Sequence, residues 1–155
     1  MRSFVLPLSL AGTLALSPLA MAHFDDKEIP QSYRQSYFAL VAGNFGPLVA
    51  MLKGEMPWDD AKFKAYADDL AKAASLNYER GFPDANQPGQ TRAKAGIWDN
   101  KEDFVAKLND LRRESMKLAE AAGGSDKKAI MNQFKATGGT CKACHDEYKS
   151  KDYLY

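Results

Sequence analysis

Apolar residues recur at helical spacing along most of the chain, and the pattern predicts four amphipathic helices. The first runs from about 28 to 52, with Ile29, Tyr33, Tyr37, Leu40, Val41, Leu48 and Met51 in one stripe. Gly43, Gly46 and Pro47 interrupt it. Pro47 cannot donate to the carbonyl of Gly43, which predicts a kink. Lys53-Gly54 reads as a stop. The second helix starts with Asp59 or Asp60 as its cap and runs to about Tyr78, burying Phe63, Tyr66, Ala67, Leu70 and Ala74. From Arg80 to Trp98 the periodicity disappears among Gly81, Pro83, Asn86, Pro88, Gly89 and Gly96. Such a loop suits either a cofactor edge or a plain solvated crossover. Asp99 with Glu102 resembles a capping box. The third helix follows to Ala122, with Phe104, Leu108, Leu111, Ser115 and Leu118 inward, and Gly123-Gly124 ends it. Ser125 or Asp126 caps the fourth, which carries Ile130, Phe134, Cys141, Cys144 and Tyr148. No strand alternation or internal repeat is present. The expected fold class is all-α, an antiparallel four-helix bundle.

Composition adds boundaries to this picture. The chain has 155 residues, 45% hydrophobic and 26% charged, which suits one folded domain with a real core. Its 21 basic and 20 acidic residues create no single-sign field to gather nucleic acid or anionic lipid. The first 22 residues have the form of a secretory signal. Arg2 supplies the positive start, Phe4 to Leu16 is mostly apolar without an acid, and Ala20-Met21-Ala22 is a small-x-small cleavage pattern. An uncleaved anchor is the rival reading, weakened by Pro7, Pro18 and the short apolar run. The expected organisation is a leader over 1–22 and a mature domain over 23–155, exported to the periplasm and not inserted in a membrane.

The chemistry concentrates in Cys141-Lys142-Ala143-Cys144-His145. Cys-x-x-Cys-His is the c-type haem attachment pattern. On a helix these three ligating residues fall at i, i+3 and i+4, on one face. Two thioether bonds fix a haem edge there while the imidazole reaches the iron. The rivals are weaker. A Cys-x-x-Cys redox pair needs a βαβ context. A structural zinc needs about four ligands, whereas the chain has two cysteines and two histidines, and His23 is remote in sequence. One covalent haem c enclosed by the bundle is therefore the expected cofactor, with Cys141 and Cys144 as attachment points and His145 as the metal ligand.

With the motif near the C-terminus, the chain resembles the cytochrome c′ family. The match rests on Tyr33-Arg34-Gln35-Ser36, Pro57-Trp58-Asp59, Ile97-Trp98 and Cys141-Lys142-Ala143-Cys144-His145-Asp146. The resemblance covers essentially all of the mature chain. It implies a five-coordinate haem held by His145, with the opposite face closed by an apolar side chain at Phe38. It places Arg34 and Gln35 near the haem propionates, Thr91 and Arg92 near another haem contact, and Lys149 beside the proximal histidine. The bland readings are a core aromatic for Phe38, a snorkelling surface cation for Arg34 and a solvated charge for Lys149.

Several functions fit such a protein. The leading one is binding of small gases, nitric oxide and carbon monoxide, on an apolar face, with electron transfer as a further role. The first helix has no Met before Met51, so no thioether lies near Phe38 to fill the sixth position. The alternative is a six-coordinate, low-spin electron carrier of the same fold. A redox enzyme is not expected, because no acid–base pair is evident. An unidentified redox partner is implied, since the iron must be kept ferrous. A homodimer through the first two helices is also expected, using Phe45, Leu48 and Leu52.

Overall fold

A computed structural model describes residues 28–83 and 91–152. Four long helices dominate: α1 (Glu28–Lys53), α2 (Asp60–Ala74), α4 (Lys101–Ala122) and α5 (Lys127–Tyr148). A 3₁₀ turn (Tyr78–Gly81) and a one-turn helix, α3 (Gly96–Asp99), lie in the connection between α2 and α4. Among the described residues the β pairing is confined to one isolated antiparallel bridge, between Ala93 and Lys149. The bundle is thus all-α, as the periodicity requires. The predicted leader, His23, the middle of the long loop and the last three residues lie outside the described residues.

Local chemistry sets the helix ends. Asp59 caps α2, accepting from the Lys62 amide at 3.0 Å. Asp126 caps α5, accepting from the Lys128 and Ala129 amides at 2.9 and 3.1 Å. Each carboxylate satisfies backbone donors that a helix start leaves unpaired. Gly54, at φ +75°, turns the chain out of α1 in the left-handed conformation that glycine adopts without a Cβ penalty. Lys94 Nζ donates to the Glu147 carbonyl at 2.9 Å, so a cation from the long loop caps the last turn of α5.

Some sequence expectations need correction. α1 continues through Pro47 as one helix. Beyond the proline, Leu48 and Met51 are buried and hold the last turns in place. α2 ends at Ala74 rather than near Tyr78, because Ser75 turns its hydroxyl back onto the Ala71 carbonyl and Asn77 starts the separate 3₁₀ turn. Asp99 caps nothing: it ends α3, and Asn100 precedes α4 without a side-chain cap bond. Ile29 and Leu40 are exposed, and in their stripe sits Arg34, only 4% exposed.

The core follows the remaining stripe positions. Tyr37 and Val41 from α1 meet Phe63, Ala67 and Leu70 of α2 in one cluster with Phe104, Leu108 and Leu118 of α4 and Ile130 of α5. Burial of this apolar surface is the main driving force for assembly. α1 packs on α2, α2 on α4 and α4 on α5, whereas α1 and α5 scarcely touch. Polar bonds reinforce the α4–α5 seam. Gln133 Nε2 donates to Glu114 Oε2 at 2.8 Å, and the Thr137 hydroxyl reaches the Glu114 carbonyl at 3.1 Å. The bundle is closed on three seams and held apart on the fourth.

The 3₁₀ turn closes down on α1 at Gly81. A Cβ there would sit 2.6 Å from Arg34 Cβ and 3.0 Å from its Cα. Gly81→Ala therefore has to push the turn off α1 and should cost about 1–3 kcal/mol, in line with other overpacking changes. Urea unfolding of the holoprotein checks this; a midpoint equal to wild type would show that the approach is not tight.

Candidate functional site

The open seam holds a cavity of about 530 Å³, within the ordinary range for cofactor sites. One wall is α1, which presents Arg34, Gln35, Phe38, Val41, Ala42 and Phe45. The facing wall is α5, with Thr140, Cys141, Cys144, His145, Tyr148 and Lys149. Thr91 and Arg92 from the long loop line it too. All nine residues singled out from the sequence thus line one cavity, drawn from two helices and a loop up to 115 positions apart along the chain (Arg34 to Lys149).

The attachment motif lies where helical spacing puts it. Cys144 is buried, Cys141 half-buried and His145 exposed beside the cavity. Burial pushes the Cys144 thiol up to about 11 and raises Cys141 as well. Redox-active Cys-x-x-Cys pairs instead have lowered thiol pKa values. His145 is shifted down, first by desolvation and then by the Lys149 ammonium. The neutral imidazole, which is the form that ligates metal, is therefore favoured. Among the described residues no group of three or more His, Cys, Asp or Glu side chains could hold a bare metal ion. That leaves the zinc reading without a ligand set.

Arg34 is not a surface cation. Its Nη1 donates to the Gly81 carbonyl at 3.2 Å, and its guanidinium carbon lies 5.5 Å from the centre of the Phe82 ring. Its Nη2 is buried with no hydrogen-bond partner among the described residues. Burial lowers its pKa, a sign of the strain on a desolvated charge. An unpaired buried donor of this kind calls for an anionic partner in the cavity. An apolar slot with two thiols and an imidazole on one wall, and an unsatisfied guanidinium in its lining, fits a haem. Cys141 and Cys144 suit the macrocycle edge, His145 suits iron, and Arg34 suits a carboxylate side chain.

Phe38 sits on the apolar wall, edge-on to Tyr37 at 5.0 Å and to Phe82 at 6.3 Å. The long loop is tied to the end of α5: the Lys94 amide donates to the Tyr148 carbonyl at 3.0 Å, and the Ser150 amide to the Arg92 carbonyl at 2.8 Å. These bonds fix Thr91 and Arg92 over the cavity. Gln35, Arg92 and Lys149 are exposed residues on its rim. The cofactor-edge reading of the loop is the one these bonds favour.

Sequence reasoning missed several lining residues. Val41, Ala42 and Phe45 follow Phe38 at i+3, i+4 and i+7, and that spacing was available as a signal. Phe82, after the 3₁₀ turn, and Lys107 of α4 carried none. Tyr148 is buried, its hydroxyl donating to Asp103 Oδ2 at 2.6 Å. Burial and this bond push the phenol up to about 12. The same bond, with Lys107, holds the Asp103 carboxyl below its ordinary value.

Comparison with known proteins agrees with this geometry. The family model for cytochrome c′ matches residues 30–149. A cytochrome c′ from Cereibacter sphaeroides is 38% identical over 146 residues, covering 92% of this chain and 96% of that protein. The solved cytochrome c prime of Shewanella frigidimarina is 40% identical, covers 83% of this chain and 100% of its own, and superposes with a TM-score of 0.78. A nitric oxide complex of a cytochrome c prime variant from Alcaligenes xylosoxidans is 32% identical, covers 84% and 100%, and gives a TM-score of 0.73.

The Tyr148–Asp103 bond makes a pH-dependent prediction. Asp103 has a lowered folded pKa, so its contribution is complete above the ordinary carboxylate value of about 3.9 and is lost as pH falls below it. Tyr148→Phe should destabilise the holoprotein at pH 7 and much less at pH 3. Urea midpoints at both pH values test this; an equal loss at each would mean that the phenol acts through packing alone.

Proposed function

The chain belongs to the cytochrome c′ family and carries one covalently attached haem c, and on that premise we propose that it is a five-coordinate haem protein that binds nitric oxide and carbon monoxide. Cys141 and Cys144 would form the thioether bonds that hold the haem, and His145 would ligate its iron. Arg34 and Gln35 hold the propionates, Arg34 through the Nη2 that has no partner among the described residues. Thr91 and Arg92 contact the haem from the long loop. When bound, the haem supplies an iron whose second face can take a diatomic ligand.

The observation that carries this reading is the chemistry of the α1 wall. Its centre is Phe38, Val41, Ala42 and Phe45, without a hydrogen-bond donor or a metal ligand on any of these side chains. Met51 is buried and Met116 exposed, and neither lines the cavity. Nothing on this wall competes for the sixth position. Bound dioxygen accumulates negative charge and gains from a donor, whereas nitric oxide and carbon monoxide need one much less. The wall therefore discriminates against dioxygen. Phe38, wedged between Tyr37 and Phe82, must move for a ligand to bind, which lowers affinity and speed together. Burial first, and then Lys149 four residues further on, favour the neutral imidazole of His145, and Lys149 lies beside it at the end of α5.

The role we assign is binding and electron transfer rather than catalysis. Residues 1–22 direct export, and the mature domain of residues 23–155 works in the periplasm. Among the described residues no helix is long and apolar enough to cross a membrane. The homodimer we propose uses the outer face of α1, where Ile29 and Leu40 are exposed, with α2, after which Leu76 is exposed too. Leu48 is fully buried and Phe45 is stacked on Phe134, so neither serves that surface as first expected.

Two measurements test the assignment. Phe38→Ala should speed carbon monoxide association with the reduced protein by about tenfold or more, the range expected when a blocking side chain is removed. An unchanged rate would take Phe38 off the gas-binding face. In parallel, the mass of the purified protein should include one haem, and Cys141→Ala with Cys144→Ala together should abolish covalent attachment. Haem retained covalently in that double variant would contradict the thioether assignment.

A further inference from the structure

We infer that the Phe45–Phe134 pair is an access gate: it sets how fast a small uncharged gas reaches and leaves the cavity, but not how tightly the gas is held. This rests on the gas-binding reading of the same site.

α1 and α5 scarcely touch, and the cavity lies between them. Ala42 is exposed although it lines the cavity. The seam is therefore open to solvent beside Ala42. What spans it among the described residues is Phe45 from α1, stacked on Phe134 from α5 with ring centres 4.8 Å apart and planes 4° from parallel. Phe45 lines the cavity, whereas Phe134 does not and supports Phe45 from outside. The Phe45 ring lies over Gly138, whose added Cβ would come within 3.3 Å of Phe45 Cζ. Glycine at 138 is therefore what lets the ring settle across the seam.

The pair is built to open. Both rings are only half-buried, and neither side chain carries a polar anchor. Rotamer changes of such side chains are fast, and an aromatic contact between them is a modest tie. Phe38, also half-buried, differs in being held edge-on by both Tyr37 and Phe82. A group that must be displaced in the bound state changes affinity. A group crossed equally on the way in and out changes both rate constants by the same factor and leaves their ratio alone.

The test uses dithionite-reduced holoproteins, with carbon monoxide and n-butyl isocyanide as probes, followed by stopped flow and flash photolysis. Phe134→Ala, outside the cavity lining, should raise carbon monoxide association and dissociation together, by about three- to tenfold, with the dissociation constant moving less than about twofold, and Phe45→Ala should raise both rates as well. The gain should be larger for the bulkier isocyanide, and Phe45→Trp should slow both rates. Thermal unfolding of the same samples separates a structural role. A lower melting temperature with unchanged rates overturns the inference. So does a change confined to association that carries affinity with it, which would place Phe45 with Phe38. If Phe45→Ala loses haem, Phe45→Leu and Phe134→Ala decide the question by the same criteria. A wild-type protein that takes up no carbon monoxide sinks the gas-binding reading and this inference together. Wild-type uptake with unmoved variants sinks the inference alone.

Discussion

The separation of α1 from α5 is the constraint on which the rest of the structure depends. A four-helix bundle normally closes four seams with interdigitating apolar side chains. Here three are closed, and the fourth is held open by what its neighbours do. The α4–α5 seam is fixed by Phe104 against Tyr148 and by Gln133 and Thr137 on Glu114. The α1–α2 seam is fixed by Tyr37, Phe63 and Leu70. With those pairs locked, α1 and α5 face each other across a slot about as large as a cofactor needs. Apolar walls that meet no protein partner are unfavourable unless a ligand covers them. Covalent attachment supplies such a cover permanently, which makes the haem part of the core as well as the functional group.

Polarity is distributed around that slot with the same economy. Charged and hydrogen-bonding groups sit at its rim and where the loop closes down, while the middle of α1 is hydrocarbon. Arg34 illustrates the logic. It is almost fully buried, makes one bond to a backbone carbonyl and leaves a nitrogen unsatisfied. A protein retains such a group when the missing partner arrives with a ligand. The long loop is drawn onto α5 by backbone bonds and by Lys94 on its last carbonyls, so the rim is positioned by the same helix that bears the attachment motif.

Much of this was legible in the residues alone. The attachment motif has a spacing that only a helix turns into one face, and the structure places its three side chains as that spacing requires. Helical periodicity found the four long helices because each buries a continuous stripe. It failed where a different interaction took over. Pro47 reads as a break, yet buried Leu48 and Met51 carry α1 past it. Asp99 reads as a cap, but α3 occupies its position first. Ile29 and Leu40 read as core yet are exposed, because a hydropathy stripe cannot register which face a cavity leaves open; Arg34 was reached through the family resemblance and not through periodicity. Phe82 and Lys107 reach the site through tertiary packing, for which one chain read locally contains no sign.

The most direct test of the central claim is the visible absorption spectrum of the dithionite-reduced holoprotein. An apolar α1 wall without a ligating side chain predicts a high-spin, five-coordinate iron, seen as a high-spin Soret band with one broad, unresolved band in the visible. Sharp and separate α and β bands would show a sixth protein ligand at equilibrium. That result would contradict the open-face account and make the protein a low-spin electron carrier.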